Sequence, residues 1–257
     1  MTILRATAAV FAFECRRALG WRRGLLVLGL ASFPAVILWL IRHEGGQLNR
    51  QEAWPLALFV LIPELVCLLG LLLWVTPMIQ TEVEGKTWPH LAVRPAGKLS
   101  IMLGKYAAGV FWTVLTAWLA LALAMWVVWP LPDATRVARV LAVLAVLSSM
   151  TYGALFSLFG VVFLRRGMIF AVGYTLVEFL VRLIPAIIRQ LTVQYHLQSL
   201  LVAWMHWEEV NRRMGPFFGV TTPAESIATL VGYTVFLLGV TAAVLRRRQL
   251  VTAVETA

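Results

Sequence analysis

Charge is scarce in this sequence. Only 13% of its 257 residues are Asp, Glu, Lys or Arg, about half the share found in soluble domains. An ordinary soluble domain is therefore excluded. Acids are scarcer still, with 12 Asp and Glu against 22 Lys and Arg, for a formal net charge of +10. Cysteine is nearly absent: Cys15 falls in a basic amphipathic stretch and Cys67 in an apolar run. A bridge between them would have to join two different environments, so no disulfide framework is expected. The four histidines, His43, His90, His196 and His206, are scattered and do not supply the three or four ligands of a zinc site. There is no Cys/His finger and no basic helix free of lipid-length apolar runs, so the positive charge does not point to nucleic acid. Low-complexity tracts and internal repeats are also missing.

What is abundant is apolar surface. Hydrophobic residues make up 61% of the chain and the mean hydropathy is +0.84, more than a core of this size can hide. The rest has to face lipid. Six apolar stretches predict spans: Gly24–Ile41, Trp54–Ile79, Ala107–Trp129, Val137–Leu164, Met168–Ile188 and Ile227–Leu245. Each approaches or exceeds the roughly 20 residues that cross a bilayer as a helix. Continuous rather than alternating apolar runs exclude a barrel, and a lone strand would leave its backbone unsatisfied in hydrocarbon. The expected fold class is all-α integral membrane, with residues 1–257 as a single transmembrane domain.

Basic residues set the orientation. With the N-terminus inside, 14 of the 22 Lys and Arg fall on inner segments, seven on outer ones, and Arg182 within a span. Both termini are thus expected in the cytoplasm. The arginines at positions 16, 17, 22 and 23 follow an apolar stretch instead of preceding one, so a cleaved signal peptide is not expected. Residues 1–23 read as an amphipathic interfacial helix, with Ile3, Leu4, Val10, Phe11 and Phe13 on its apolar side. Residues 80–106 form a basic cytoplasmic loop. Residues 189–226 are too polar to span yet rich in Tyr195, Trp204, Trp207, Phe217 and Phe218, which places them as interfacial or re-entrant helices before the last span.

The loop has a definite pattern: Gln80-Thr81-Glu82-Val83-Glu84-Gly85-Lys86-Thr87-Trp88-Pro89-His90-Leu91-Ala92-Val93-Arg94-Pro95, then Leu103-Gly104-Lys105-Tyr106. By residue chemistry it is a short helix with Glu82 and Glu84 near its start, an apolar pair, Trp88 and Leu91, and a stop at Pro95. Gly85 permits a turn or a close approach, and Arg94 suits a carboxylate partner. An ordinary basic loop at lipid headgroups fits the same chemistry. Gly85-Lys86-Thr87 is not the tail of a phosphate-binding loop, because the earlier glycine falls on Gln80 and no strand precedes it.

The spacing resembles the loop after the second span in type 2 ATP-binding-cassette transporter permeases: an acidic pair, Gly-Lys-Thr, apolar residues, Arg-Pro, then Gly-Lys at the third span. Ile184-Pro185, Leu191-Thr192, Tyr195-His196-Leu197 and Ser199-Leu200 also resemble a segment of that family. The resemblance implies a coupling helix that docks on a separate cytoplasmic ATPase subunit, with Glu82, Glu84, Gly85, Lys86, Thr87, Trp88, Leu91, Arg94 and Pro95 as coupling residues. It further implies a second permease copy, identical or related, and export as the direction. ATP and Mg would belong to the ATPase partner, with no cofactor, catalytic residue or metal on this chain. The expected location is a cell membrane, the bacterial cytoplasmic membrane, in contact with lipid.

Three charges fall within predicted spans. Glu64, beside Pro63, is costly at membrane depth and marks either a translocation site or a hydrogen-bonded structural acid. Glu178 and Arg182 are four apart in the orientation that favours an ion pair, with a transport role as the alternative. His206 and Glu209, one turn apart, suggest half a metal site or an interfacial anchor beside Trp204 and Trp207. A membrane enzyme using His206, Glu208 or Glu209, and a lone secondary carrier using Glu64 or Glu178, are the competing functions. The first has no nucleophile and base pair; the second has no inverted repeat.

Overall fold

The computed structural model describes residues 3–43, 53–85, 97–130, 133–181, 190, 192–207 and 221–247, apart from the Arg22 and Val181 side chains. Among these the chain is helical, without a strand. The helices are α1 (Ile3–Ala18), α2 (Trp21–His43), α3 (Ala53–Trp74), α4 (Gln80–Glu84), α5 (Gly97–Val128), α6 (Ala134–Val162), α7 (Gly167–Val181), α8 (Val193–Met205) and α9 (Pro223–Arg247). Five of them, α2, α3, α5, α6 and α9, are long and apolar enough to cross a membrane. The fifth predicted span, Met168–Ile188, is represented by the shorter α7, and residues 182–189 lie outside the described residues.

Helices α3, α5 and α6 form the centre. Helices α1 and α2 pack on α5, while α8 and α9 pack on α6. Side chains such as Phe59, Leu71, Met102, Leu141, Leu144 and Phe156 are fully buried between them. The outward faces of α2, α7 and α9 expose Leu25, Trp39, Ile169, Leu180, Val235 and Phe236, an arrangement that suits lipid better than water.

The N-terminal helix, expected over residues 1–23, ends at Ala18, with Trp21–Arg23 already in α2, and two span boundaries differ more widely from the sequence expectation. The third span was expected from Ala107, but α5 begins at Gly97 and runs 32 residues, about 48 Å at 1.5 Å per residue. That exceeds a hydrocarbon core of roughly 30 Å, so the first turns of α5, polar enough to read as loop, extend the span beyond lipid. The second span was expected to Ile79, but α3 ends at Trp74 and residues 75–79 form turns. There the Thr76 carbonyl abuts Gly160 of α6 so closely that a Cβ on residue 160 would collide with it.

Within α3, residues Val60–Val66 are π-helical around Pro63. Proline lacks the N–H that would continue an α-helical ladder, and π-turns mark such interruptions. The Pro63 carbonyl accepts a hydrogen bond from Ser148 of α6. At the far end of α5, Arg42 donates to the Val127 carbonyl and, at 3.1 Å, to that of Trp129, placing a cation where the helix C-terminus is partly negative.

Candidate functional site

An ion cluster joins the polar end of α5 to the start of the loop and to the N-terminal helix. Lys105 of α5 is only 7% exposed. Its Nζ lies 2.6 Å from Glu14 Oε1 of α1 and 2.8 Å from Glu82 Oε1 of α4. Arg17, one turn beyond Glu14, lies 3.5 Å from Glu82 and 3.9 Å from Glu14. Burying one ammonium between two carboxylates offsets much of the desolvation cost, and removing a partner from such a group is strongly destabilising. The preceding residue explains how α1 comes so near: a Cβ at Gly104 would lie 2.7 Å from the Val10 side chain and 2.9 Å from the Thr7 carbonyl oxygen. Gly104 admits the helix and Lys105 holds it.

A second polar group lies inside the bundle. Glu64 (1% exposed) in the π-helical turn faces Gln198 of α8, with Gln198 Nε2 3.5 Å from Glu64 Oε1. The Glu178 carboxylate of α7 accepts the Gln194 N–H at 3.1 Å, and the Tyr152 hydroxyl lies near it. Thr192 accepts the next amide, from Tyr195, at 3.3 Å. Two N–H groups in the first turn of α8 are thus satisfied, one by a carboxylate from another helix and one by the helix's own cap. All nine residues from Val193 to Leu201 are buried. In spite of its polar side chains Gln194, His196, Gln198 and Ser199, α8 sits in the bundle and not on its surface.

The sequence model of one family, described as ABC-2 family transporter protein, matches residues 19–182, more than half of the chain. The chain belongs to this family. It is a component of a membrane transport system, a class whose permeases are generally non-catalytic, and a multi-pass membrane protein. No curated protein sequence matches it significantly.

In this ABC-2 family chain the residues singled out by the loop motif divide into two groups. Glu82, Glu84 and Gly85 are described; Lys86, Thr87, Trp88, Leu91, Arg94 and Pro95 lie outside the described residues. Glu82 turns inward to Lys105. Glu84 is exposed and accepts from Gln80 Nε2 at 2.6 Å. Gly85 ends α4 at φ −73°, a conformation open to any residue, so no left-handed turn accounts for the glycine.

Glu178 finds partners across the bundle on α8, while Arg182, its expected partner, lies outside the described residues. His206 is exposed at the end of α8 in the left-handed region, φ 54°, and Glu208 and Glu209 are not described. Sequence reasoning did not single out Glu14, Tyr152 or Gln198 as site residues. Glu14 had a signal: it is the only acid in the first 43 residues. Tyr152 and Gln198 had none, since only tertiary packing brings them to the carboxylates.

Proposed function

We propose that this chain is the membrane-spanning permease subunit of an ATP-driven exporter. A separate cytoplasmic ATPase binds ATP and Mg, and a second permease copy completes the translocation path. Both termini are cytoplasmic, α7 with the residues after it makes a sixth span, and residues 80–106 carry the coupling helix. The observation supporting this reading most directly is the Lys105 cluster. Glu82 stands at the head of the loop that would meet the ATPase, and its partner Lys105 also holds Glu14. A push on the loop reaches α1 and the long α5 through two short, buried charge contacts instead of being absorbed in a flexible link. Helices moved as rigid bodies in this way can alternate access between the two sides of a membrane.

Within this reading Glu84, Gly85, Lys86, Thr87, Trp88, Leu91, Arg94 and Pro95 form the docking surface, and Glu82 passes motion inward. Glu64 and Glu178 hold α8 in the bundle, next to the expected path. Gentle purification of tagged protein from its native membrane tests the assignment. A near-equimolar ATP-binding-cassette ATPase, lost when the loop from Lys86 to Pro95 is altered, is the expected result. Intact, folded protein that never retains an ATPase would contradict it.

A further inference from the structure

A cleft of about 190 Å³ opens between α1, α2, α5 and the end of α3 with the turns that follow, and it is distinct from the buried α8 contacts. Its size is below the roughly 300–1,000 Å³ of sites that enclose whole small molecules, so it suits a headgroup-sized ligand. Three cations line it, Arg17, Arg23 and Lys105. Two carboxylates, Glu14 and Glu82, engage Lys105 closely and Arg17 at longer range. Arg23 instead lies over the Trp74 ring, 5.3 Å from its centre, and among the described residues no carboxylate is within ion-pair distance of it. One positive charge is left over, on groups whose planar forks match phosphate oxygens.

The lining changes character along the helices. On α2, Arg23 comes near the helix start and Leu26 one turn further into the span; on the α3 side, Leu73 lies in the helix and Thr81 beyond its end. Leu26 is 52% and Leu73 40% exposed, so the apolar part of the cleft is continuous with the lipid-facing surface. An amphiphile with an anionic head and an acyl tail fits this sequence of surfaces. Anionic leaflets attract such juxtamembrane cations, and tryptophans favour the headgroup level.

We infer that this cleft binds the phosphate headgroup of an anionic phospholipid, whose acyl chains lie along Leu26 and Leu73. The bound lipid joins α1 to α2 at the end of the bundle that carries the ion cluster. This inference is independent of which cargo is transported and of whether an ATPase partner exists.

The test uses the delipidated full chain in detergent, titrated with dioleoyl phosphatidylglycerol while the thermal unfolding midpoint is followed. A saturable rise is expected, with at least tenfold more lipid needed by the R17Q/R23Q variant. An R246Q/R247Q variant, with the same charge loss at the end of α9, should titrate like the unaltered chain. Dioleoyl phosphatidylcholine should give a weaker response. Glycerol 3-phosphate in water supplies the head without the tail and should not saturate the site over the same range; equal saturation would overturn the lipid assignment in favour of a soluble phosphate ester. If R17Q/R23Q does not fold, R17K/R23K keeps the charge but loses the planar forks, and should bind several-fold more weakly. Equal titration by all folded variants, or no preference for phosphatidylglycerol over phosphatidylcholine, would overturn the inference.

Discussion

Lys105 Nζ lies 2.6 Å from Glu14 Oε1, although the two residues are 91 positions apart. The contact fastens the N-terminal helix to α5, and Glu82 shares the same ammonium at 2.8 Å. Replacing Lys105 by methionine removes the ammonium between two nearly buried carboxylates and leaves them the more distant Arg17, 3.5 Å from Glu82 and 3.9 Å from Glu14. The expected loss is about 3–5 kcal/mol, read as a lower unfolding midpoint of the purified chain. Adding Glu82→Gln should recover part of that loss, because the two positions share one network.

Gly104 and Gly173 make a matched pair. A Cβ at 104 meets Val10 and the Thr7 carbonyl, whereas at 173 nothing lies within 4 Å. Gly104→Ala should cost about 1–3 kcal/mol, the usual range for overpacking, and raise hydrogen exchange along α1. Gly173→Ala, in α7 with open space around the new methyl group, should be neutral or stabilising by up to about 1 kcal/mol. Thermal unfolding and exchange of the two variants, measured together, check the packing of α1.

Glu178 accepts the Gln194 amide at the start of α8. Glu178→Ala should loosen that helix, with faster exchange from Val193 to Gln198 and a stability loss of about 1–3 kcal/mol, the cost of leaving the buried Gln194 N–H unsatisfied. Glu178→Gln keeps an acceptor and should lose less. Equal exchange in both variants and the unaltered chain would show that α8 is held by its apolar contacts alone.

Cys15 and Cys67 should differ in reactivity. Cys67 is fully buried, whereas Cys15 is partly exposed on α1. Burial, and next the Glu14 charge, raise the Cys15 thiol above its ordinary range. A raised value means less thiolate at a given pH, and the thiolate is the reacting form. Maleimide labelling of Cys15 should therefore be slow at neutral pH, continue to accelerate past the pH at which an ordinary thiol levels off, and quicken in Glu14→Gln. Labelling of Cys67 should require unfolding.

The sequence made the helical class legible because continuous apolar runs leave few other options in lipid. Span ends were less legible. The first turns of α5 carry Lys98, Ser100, Gly104 and Lys105, a composition that reads as loop until α1 is seen to cover it. The loop motif pointed to Glu82 and to the Gly104-Lys105 pair, but not to the reason they go together, because Glu14 comes from far away in the chain. The Glu178 and Arg182 spacing suggested a local pair. What that spacing does not reveal is a short helix inserted nearby, whose N–H groups provide another partner for the carboxylate.

The central claim is that the Lys105 cluster carries motion from the loop to α1 and α5. The most direct measurement is ATP hydrolysis by the purified complex with its ATPase, in native lipid, for the unaltered chain and Lys105→Met. ATPase retention and folding should be recorded on the same samples. The account predicts that Lys105→Met still retains the ATPase through the loop, while the stimulation of hydrolysis by the permease falls at least tenfold. A folded, fully assembled Lys105→Met complex with unchanged stimulation would contradict it.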